Sequence, residues 1–441
     1  MRTRRLLKAT ITAVAAAALG VMAVSAQAAT EAQKRAAIDS GLAYLATTQN
    51  AAGYFGGGGT DYLIANTGSA LLAFMEEKAN WDDGTDPVKA AAYQAAVDKG
   101  LNYLMSQASV VPFIAATAAG NPDKDGNGVG VKLYPGGTDN RDTYVTGIAL
   151  PAIASSGTPD KLVTVGPLAG RTDGSGAGGA WTYKDVVQNA IDYFAYGQTD
   201  AGAYRGGWRY YANYGNSDQS TSQWPVIAAL FAQKMGVDLP AFVKAELNVW
   251  TNYIQNPTNG SAGYTGPFSP EGEMNETGAL LVMQAYLGRP VSDTTVQKAL
   301  EYINAHWRET ANNTWDGNFN HPYAMWAIYK GLESTIGLDA NTSVLSNLRP
   351  GNCGDDVNNP NHSCNWWEDY NDYLVDNQAT NGSWAGYSYW NPGLATPWFI
   401  NILAGTKISN DDGGDIPEPV TIGLVGLGLL GMAALRGRRP A

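Results

Sequence analysis

Two kinds of apolar pattern alternate along the chain from Glu31 onward. The first is one-sided. In Val296-Gln-Lys-Ala299-Leu300-Glu-Tyr-Ile303 the apolar residues fall at i, i+3, i+4 and i+7, which is one face of a helix. Val186, Val187, Ala190, Ile191 and Phe194 repeat it. The second is apolar on nearly every side, as in Thr277-Gly-Ala-Leu-Leu-Val-Met-Gln-Ala285 and Tyr323-Ala-Met-Trp-Ala-Ile-Tyr329. A helix of that kind is surrounded by protein. The one-sided helices therefore lie outside and the others inside. The pattern predicts six outer and inner pairs: 32–48 with 62–77, 87–107 with 142–155, 183–197 with 219–235, 239–255 with 274–287, 293–308 with 320–333, and 366–378 with 393–404. Six buried helices ringed by six amphipathic ones make an all-α, (α/α)6 toroid. An open solenoid would leave the inner helices partly exposed.

The joints between outer and inner helices repeat as well. Tyr44-Leu45 is followed by Gln49, Gly53 and Phe55, and Tyr373-Leu374 by Gln378, Gly382 and Trp384. In both copies three residues separate Gln from Gly. Looser versions are Gln198 with Gly206-Gly207-Trp208, and Gln255 with Gly263-Tyr264. The Gln amide can bond backbone groups left open at a helix end. Glycine permits a tight turn, and the aromatic packs between helices. This joint resembles the QW-type repeat of the prenyltransferase and squalene oxidase family, which includes squalene cyclases. The resemblance implies the family's toroid for nearly the whole body. Its chemistry is another matter. Squalene-hopene cyclases protonate an alkene with the middle Asp of an Asp-x-Asp-Asp motif, and no such run occurs here; Asp82-Asp83 and Asp355-Asp356 are adjacent pairs. Prenyltransferase β-subunits bind zinc through Asp, Cys and His, and this chain has three histidines and two cysteines.

Both ends read as addresses. Arg2, Arg4, Arg5 and Lys8 precede an apolar run from Ile11 to Val24, and Ala26-Gln27-Ala28 offers a cleavage site, the order of a secretory signal peptide over 1–28. At the other end Pro417-Glu418-Pro419 is followed by an uncharged apolar run, Val420 to Leu435, and then Arg436, Arg438 and Arg439. About sixteen apolar residues are marginal for a membrane span. The three-part tail, 417–441, resembles the PEP-CTERM sorting signal. That resemblance implies signal peptidase and an exosortase as partners during export, a transient membrane anchor, and a cell-surface or extracellular destination. The predicted organisation is then signal peptide, toroid domain over 29–405, an Asp- and Gly-rich linker over 406–416, and the sorting tail.

Charge narrows the partners. The formal net charge is −12. If the tail is cut after Glu418, the two lost ends take away basic residues and no acid, so the mature chain is more acidic still. Such a surface argues against nucleic acid and anionic membrane. Cys353 and Cys364 are the only cysteines, and in an exported chain such a pair reads as a disulfide.

Candidate chemistry gathers at the starts of the inner helices: Asp61, Asp142, Tyr144, Asp218, Gln223, Glu273, Glu276, Asn320, His321 and Tyr323. Each carboxylate there can equally be a helix cap. Together with Trp208, Trp315, Trp384 and Trp390 they would ring one opening, which suits either a polysaccharide or an apolar polycyclic ligand. His321, Glu276, Asp218, Asp142 and Tyr323 are the catalytic candidates, with His321 as acid or base near neutral pH. No cofactor is implied. One metal motif occurs: Asp123-Lys-Asp125-Gly-Asn127-Gly128 matches the opening of a calcium loop, but Tyr134 stands where the bidentate Glu belongs. Three readings stay open: an exported binding or structural protein, which the missing motifs favour, a divergent terpenoid or prenyl enzyme, and a polysaccharide lyase or hydrolase.

Overall fold

The structure is a computed structural model, and it describes residues 29–113, 119–136, 141–311, 314–339, 344–348 and 365–407. Six outer helices are α1 (Glu31–Thr48), α4 (Pro87–Ser106), α6 (Tyr183–Gly197), α8 (Ala241–Ile254), α10 (Thr294–His306) and α12 (Trp366–Asp376). Six inner helices are α2 (Thr60–Glu76), α5 (Asp142–Ala154), α7 (Gln219–Ala232), α9 (Glu273–Tyr286), α11 (Pro322–Ile336) and α13 (Pro392–Leu403). A one-turn helix, α3 (Lys78–Trp81), follows α2. Each inner helix packs on the next, α2 on α5, α5 on α7, α7 on α9, α9 on α11 and α11 on α13, and α13 returns to α2. The ring is closed, as the all-round apolar pattern requires.

The local chemistry explains where helices start. Thr30, Thr182 and Asn365 open α1, α6 and α12 with reciprocal capping boxes, each satisfying two otherwise open backbone donors. Close approach of the inner helices depends on small residues. A Cβ on Gly278 of α9 would lie 2.7 Å from backbone atoms of Ala327 and Ile328, and one on Gly331 of α11 would lie 2.4 Å from the Gly278 carbonyl oxygen. The two backbones touch where both side chains are absent.

The Gln joints prove to be staples between neighbouring pairs. Gln49 Nε2 donates to Gly53 O at 3.0 Å and to Ala96 O of α4 at 2.8 Å. Gln198 reaches Gly206 O and Val243 O, and Gln255 reaches Gly260 O and Thr295 O. Gln378 bonds Gly382 O and then Ala37 O of α1 at 2.8 Å, so the last staple fastens the chain's end to its beginning. The turn glycine after Gln255 is Gly260, not the Gly263 that the sequence pattern suggests. It takes φ 82° and sits where a Cβ would lie 2.4 Å from Lys298 O. An inner-helix hydroxyl completes the joint. Thr67, Ser222, Thr277 and Thr396 accept from the backbone N–H groups of Phe55, Trp208, Ala262 and Trp384.

The long connection of the second pair contains an antiparallel pair of short strands, β1 (Ser109–Pro112) with β2 (Val129–Lys132). Cys353 and Cys364 lie outside the described residues, as do 1–28 and 417–441. Among the described residues no helix is long and apolar enough to cross a membrane.

Candidate active site

The first turns of the inner helices open onto one cavity of about 730 Å³. Asp61 and Tyr62 of α2, Arg141 and Tyr144 at the start of α5, Glu276 of α9 and Tyr323 of α11 face it. One turn further in, Ala65, Ile148 and Trp398 form the deeper wall. The loops before α7, α9, α11 and α13 add Tyr210, Tyr264, Glu271, Trp315, Tyr389 and Trp390. Most of this lining is aromatic or aliphatic.

Glu276 is the acid within that wall. It is buried, and its Oε2 has no hydrogen-bond partner among the described residues. Burial raises its pKa well above the usual carboxylate value, and the neighbouring Asp218 and Asp316 raise it further. Burial thus biases this side chain toward its neutral, proton-bearing form.

Tyrosines surround this acid. The Tyr323 hydroxyl donates to Ser220 O at 3.1 Å and accepts from Gln223 Nε2 at 2.5 Å. Gln223 Oε1 in turn accepts from Lys330 Nζ at 3.2 Å. Lys330 is fully buried against the rings of Trp224 and Trp326, and burial pulls its pKa well below the ordinary lysine value. The Lys330 amine thus fixes the Gln223 amide, which fixes the Tyr323 hydroxyl. On the facing side Tyr264 and Tyr210 share a hydroxyl contact of 3.0 Å, and burial raises the Tyr264 pKa far above its ordinary value.

The sequence candidates divide. Glu276 and Tyr323 line the cavity, as do Asp61, Tyr144, Trp315 and Trp390. Asp218 lies behind the wall. It caps α7 by accepting from Thr221 N at 2.6 Å, and its Oδ2 lies 3.4 Å from the Tyr264 hydroxyl. Asp142 points toward the hairpin and pairs with Lys132 Nζ at 2.6 Å. His321 is buried in the α11 cap: Nδ1 accepts from Ala324 N at 3.3 Å, and Nε2 is 3.3 Å from Thr314 O. Burial lowers its pKa to about 4, so it is neutral across the pH range in which a histidine usually serves as acid or base. Trp208 and Trp384 are staple residues, each donating its indole N–H back to an outer helix, to Phe194 O and Leu374 O.

The lining residues that the sequence reading passed over are Tyr62, Arg141, Tyr210, Tyr264, Glu271, Tyr389 and Trp398. Trp398 sits among apolar neighbours in an all-round apolar helix, where no period distinguishes it. The others belong to helix starts or loops. Their only sequence signal was the density of tyrosine and tryptophan ahead of α7 and α13.

The calcium-loop residues form a separate group. Carboxylate oxygens of Asp123, Asp125 and Asp192 lie within 4.8 Å of one another, and Asn127 hydrogen-bonds Asp125. Asp192 comes from α6, not from the loop. Tyr134, at the twelfth position, donates instead to Asp61 Oδ1 at 2.9 Å. None of the four lines the cavity.

Comparison with known proteins adds the address. A family described as the PEP-CTERM protein-sorting motif matches residues 415–439. Proteins bearing that motif are exported, held transiently at the membrane by the C-terminal segment, and displayed at the surface. A comparison with curated proteins finds no match. Among solved structures, the chain is similar to the type II terpene cyclase MstE from Scytonema, at 13% identity over 85% of this chain and 97% of that one, with a TM-score of 0.41. It is also similar to a family 76 glycoside hydrolase from a bovine Bacteroides thetaiotaomicron strain, at 10% identity over 84% and 77% with a TM-score of 0.47. A third is the ent-copalyl diphosphate synthase of Streptomyces platensis, at 14% identity over 86% and 98% with a TM-score of 0.25. The chain is thus an exported, surface-sorted α/α toroid carrying a PEP-CTERM tail.

Proposed function

We propose that the toroid binds an apolar, ring-bearing or isoprenoid ligand in the central cavity, and that Glu276 can hand it a proton. The observation that carries this is Glu276 itself. It is a buried carboxyl with an unpartnered oxygen, set in a wall of tyrosine and tryptophan that pushes it toward the proton-bearing form. A protein that needed only a scaffold gains nothing from such a group, because a buried carboxyl without partners costs stability. Chemically, the acid can protonate a carbon–carbon double bond or an epoxide oxygen. The ring faces of Tyr144, Tyr323 and Trp398 then surround the cation that forms, an arrangement that favours positive charge. The proton released when the product regains neutrality restores the acid.

The reading departs from a purely structural role, which a filled or shallow cavity would have supported. A glycosidase would need two carboxyl groups flanking one sugar bond, and since Asp61 and Glu271 share the cavity with Glu276, polysaccharides belong in the test. Purified protein is to be incubated with isoprenoid alcohols, polycyclic terpenoids and soluble polysaccharides. Binding is followed by tryptophan fluorescence and products by mass spectrometry. Apolar compounds are expected to bind, and any turnover is expected to fall at least 100-fold in Glu276→Gln, the scale of a lost general acid, with binding kept. Polysaccharide cleavage with no apolar binding would overturn the reading.

A further inference from the structure

Resting on that reading, we infer that the ligand is an amphiphile with a polyhydroxylated, sugar-like head, seated tail-first with the head at the rim. The cavity changes character with depth. Its inner wall of Ala65, Val145, Ile148, Leu394 and Trp398 is buried. Its rim is exposed and mixed. Trp315 is 49% exposed and Tyr389 56%, and their rings stack at 5.2 Å with an interplanar angle of 24°. Large aromatics left this exposed are uncommon on a soluble protein unless they contact something. A stacked indole and phenol present a flat apolar surface that fits the C–H face of a pyranose ring.

The polar groups at the rim fit hydroxyls better than a charged head. Asp61 and Glu271 are acceptors, and Arg141 is a donor paired with Asp61 at 3.5 Å. An anionic head would meet two carboxylates and a cation already neutralised. A cationic head would gain Glu271 but lie beside the Arg141–Asp61 pair, and the stacked rings are a plate, not a cage that could close around it. Hydroxyl groups can use the donor and the acceptors together.

Four probes separate the possibilities: octyl glucoside below its micelle concentration, 1-octanol, octyltrimethylammonium and glucose, each titrated against the full body by calorimetry. Octyl glucoside is expected to bind at least tenfold more tightly than 1-octanol, and glucose alone least. The combined Trp315→Ala and Tyr389→Ala variant is expected to bring the glucoside-to-octanol ratio close to one, a roughly tenfold change for two aromatic contacts. Saturation-transfer NMR on the unaltered protein gives a test independent of folding in the variant: the sugar ring protons should receive saturation as strongly as the alkyl chain. Equal binding of glucoside and octanol, or tighter binding of the ammonium probe, overturns the sugar-head inference while leaving the apolar-ligand reading in place. Failure of both octanol and glucoside to bind overturns both.

Discussion

The imidazole of His321 is enclosed between the α11 N–H groups and the rings of Tyr387 and Trp390, and it resists protonation until about pH 4. An unfolded histidine takes its proton near 6.5. Between those values the unfolded chain binds a proton at this position that the folded chain refuses. Stability from this group is therefore complete above pH 6.5 and drains away as pH falls toward 4, by on the order of 3 kcal/mol. Asn also caps helices well, so His321→Asn keeps the cap and removes the titration. Denaturant midpoints from pH 7 to pH 4 should show wild type losing ground to the variant as acid is added. Parallel curves would contradict the burial argument. At this scale the sequence was informative about place and not about role. Asp142, Asp218, Glu276 and His321 all sit at inner-helix starts, as expected. Which of them looks into the cavity depends on the rotation of each helix, and an all-round apolar pattern has no period from which to read it. A rotation of α5 sends Asp142 to Lys132 instead, and the cap geometry of α7 holds Asp218 against its own N–H groups.

The element scale is where the pattern was most legible. Alternation of one-sided and all-round apolar segments located twelve helices close to their observed ends, because each pattern reports a different burial. What it missed was held by single contacts. The β1–β2 hairpin is short and its strands carry no long alternation; β2 packs on α6, and Lys132 pairs with the buried Asp142. The second bond of every Gln staple reaches a residue about forty or more positions away, which no local spacing announces. That second bond makes a prediction. Gln198→Ala leaves both the Gly206 and the Val243 carbonyls without this donor, and buried acceptors without partners cost about 1–3 kcal/mol. Chemical denaturation should show a loss in that range. A variant as stable as wild type would mean that the staple is decoration and that helix packing alone closes the ring.

For the whole molecule, closure is the property from which function follows. Six inner helices in a ring bring six N-terminal turns to one opening, and the Gln378 bond to α1 seals the ring where the sixth helix pair meets the first. The same closure buries the wall in which Glu276 sits, and that burial pushes its carboxyl toward the protonated form. The sorting tail places this cavity outside the cell, on a chain with a net charge of −12, so its occupant is met at the surface. The neutral acid is the claim on which the rest stands. Infrared difference spectra at pH 7 between the wild type and Glu276→Gln test it directly. A protonated-carboxyl band present in the wild type, missing in the variant and shifted by a bound apolar ligand is the predicted result. A spectrum in which the wild type gains only carboxylate bands over the variant would contradict it.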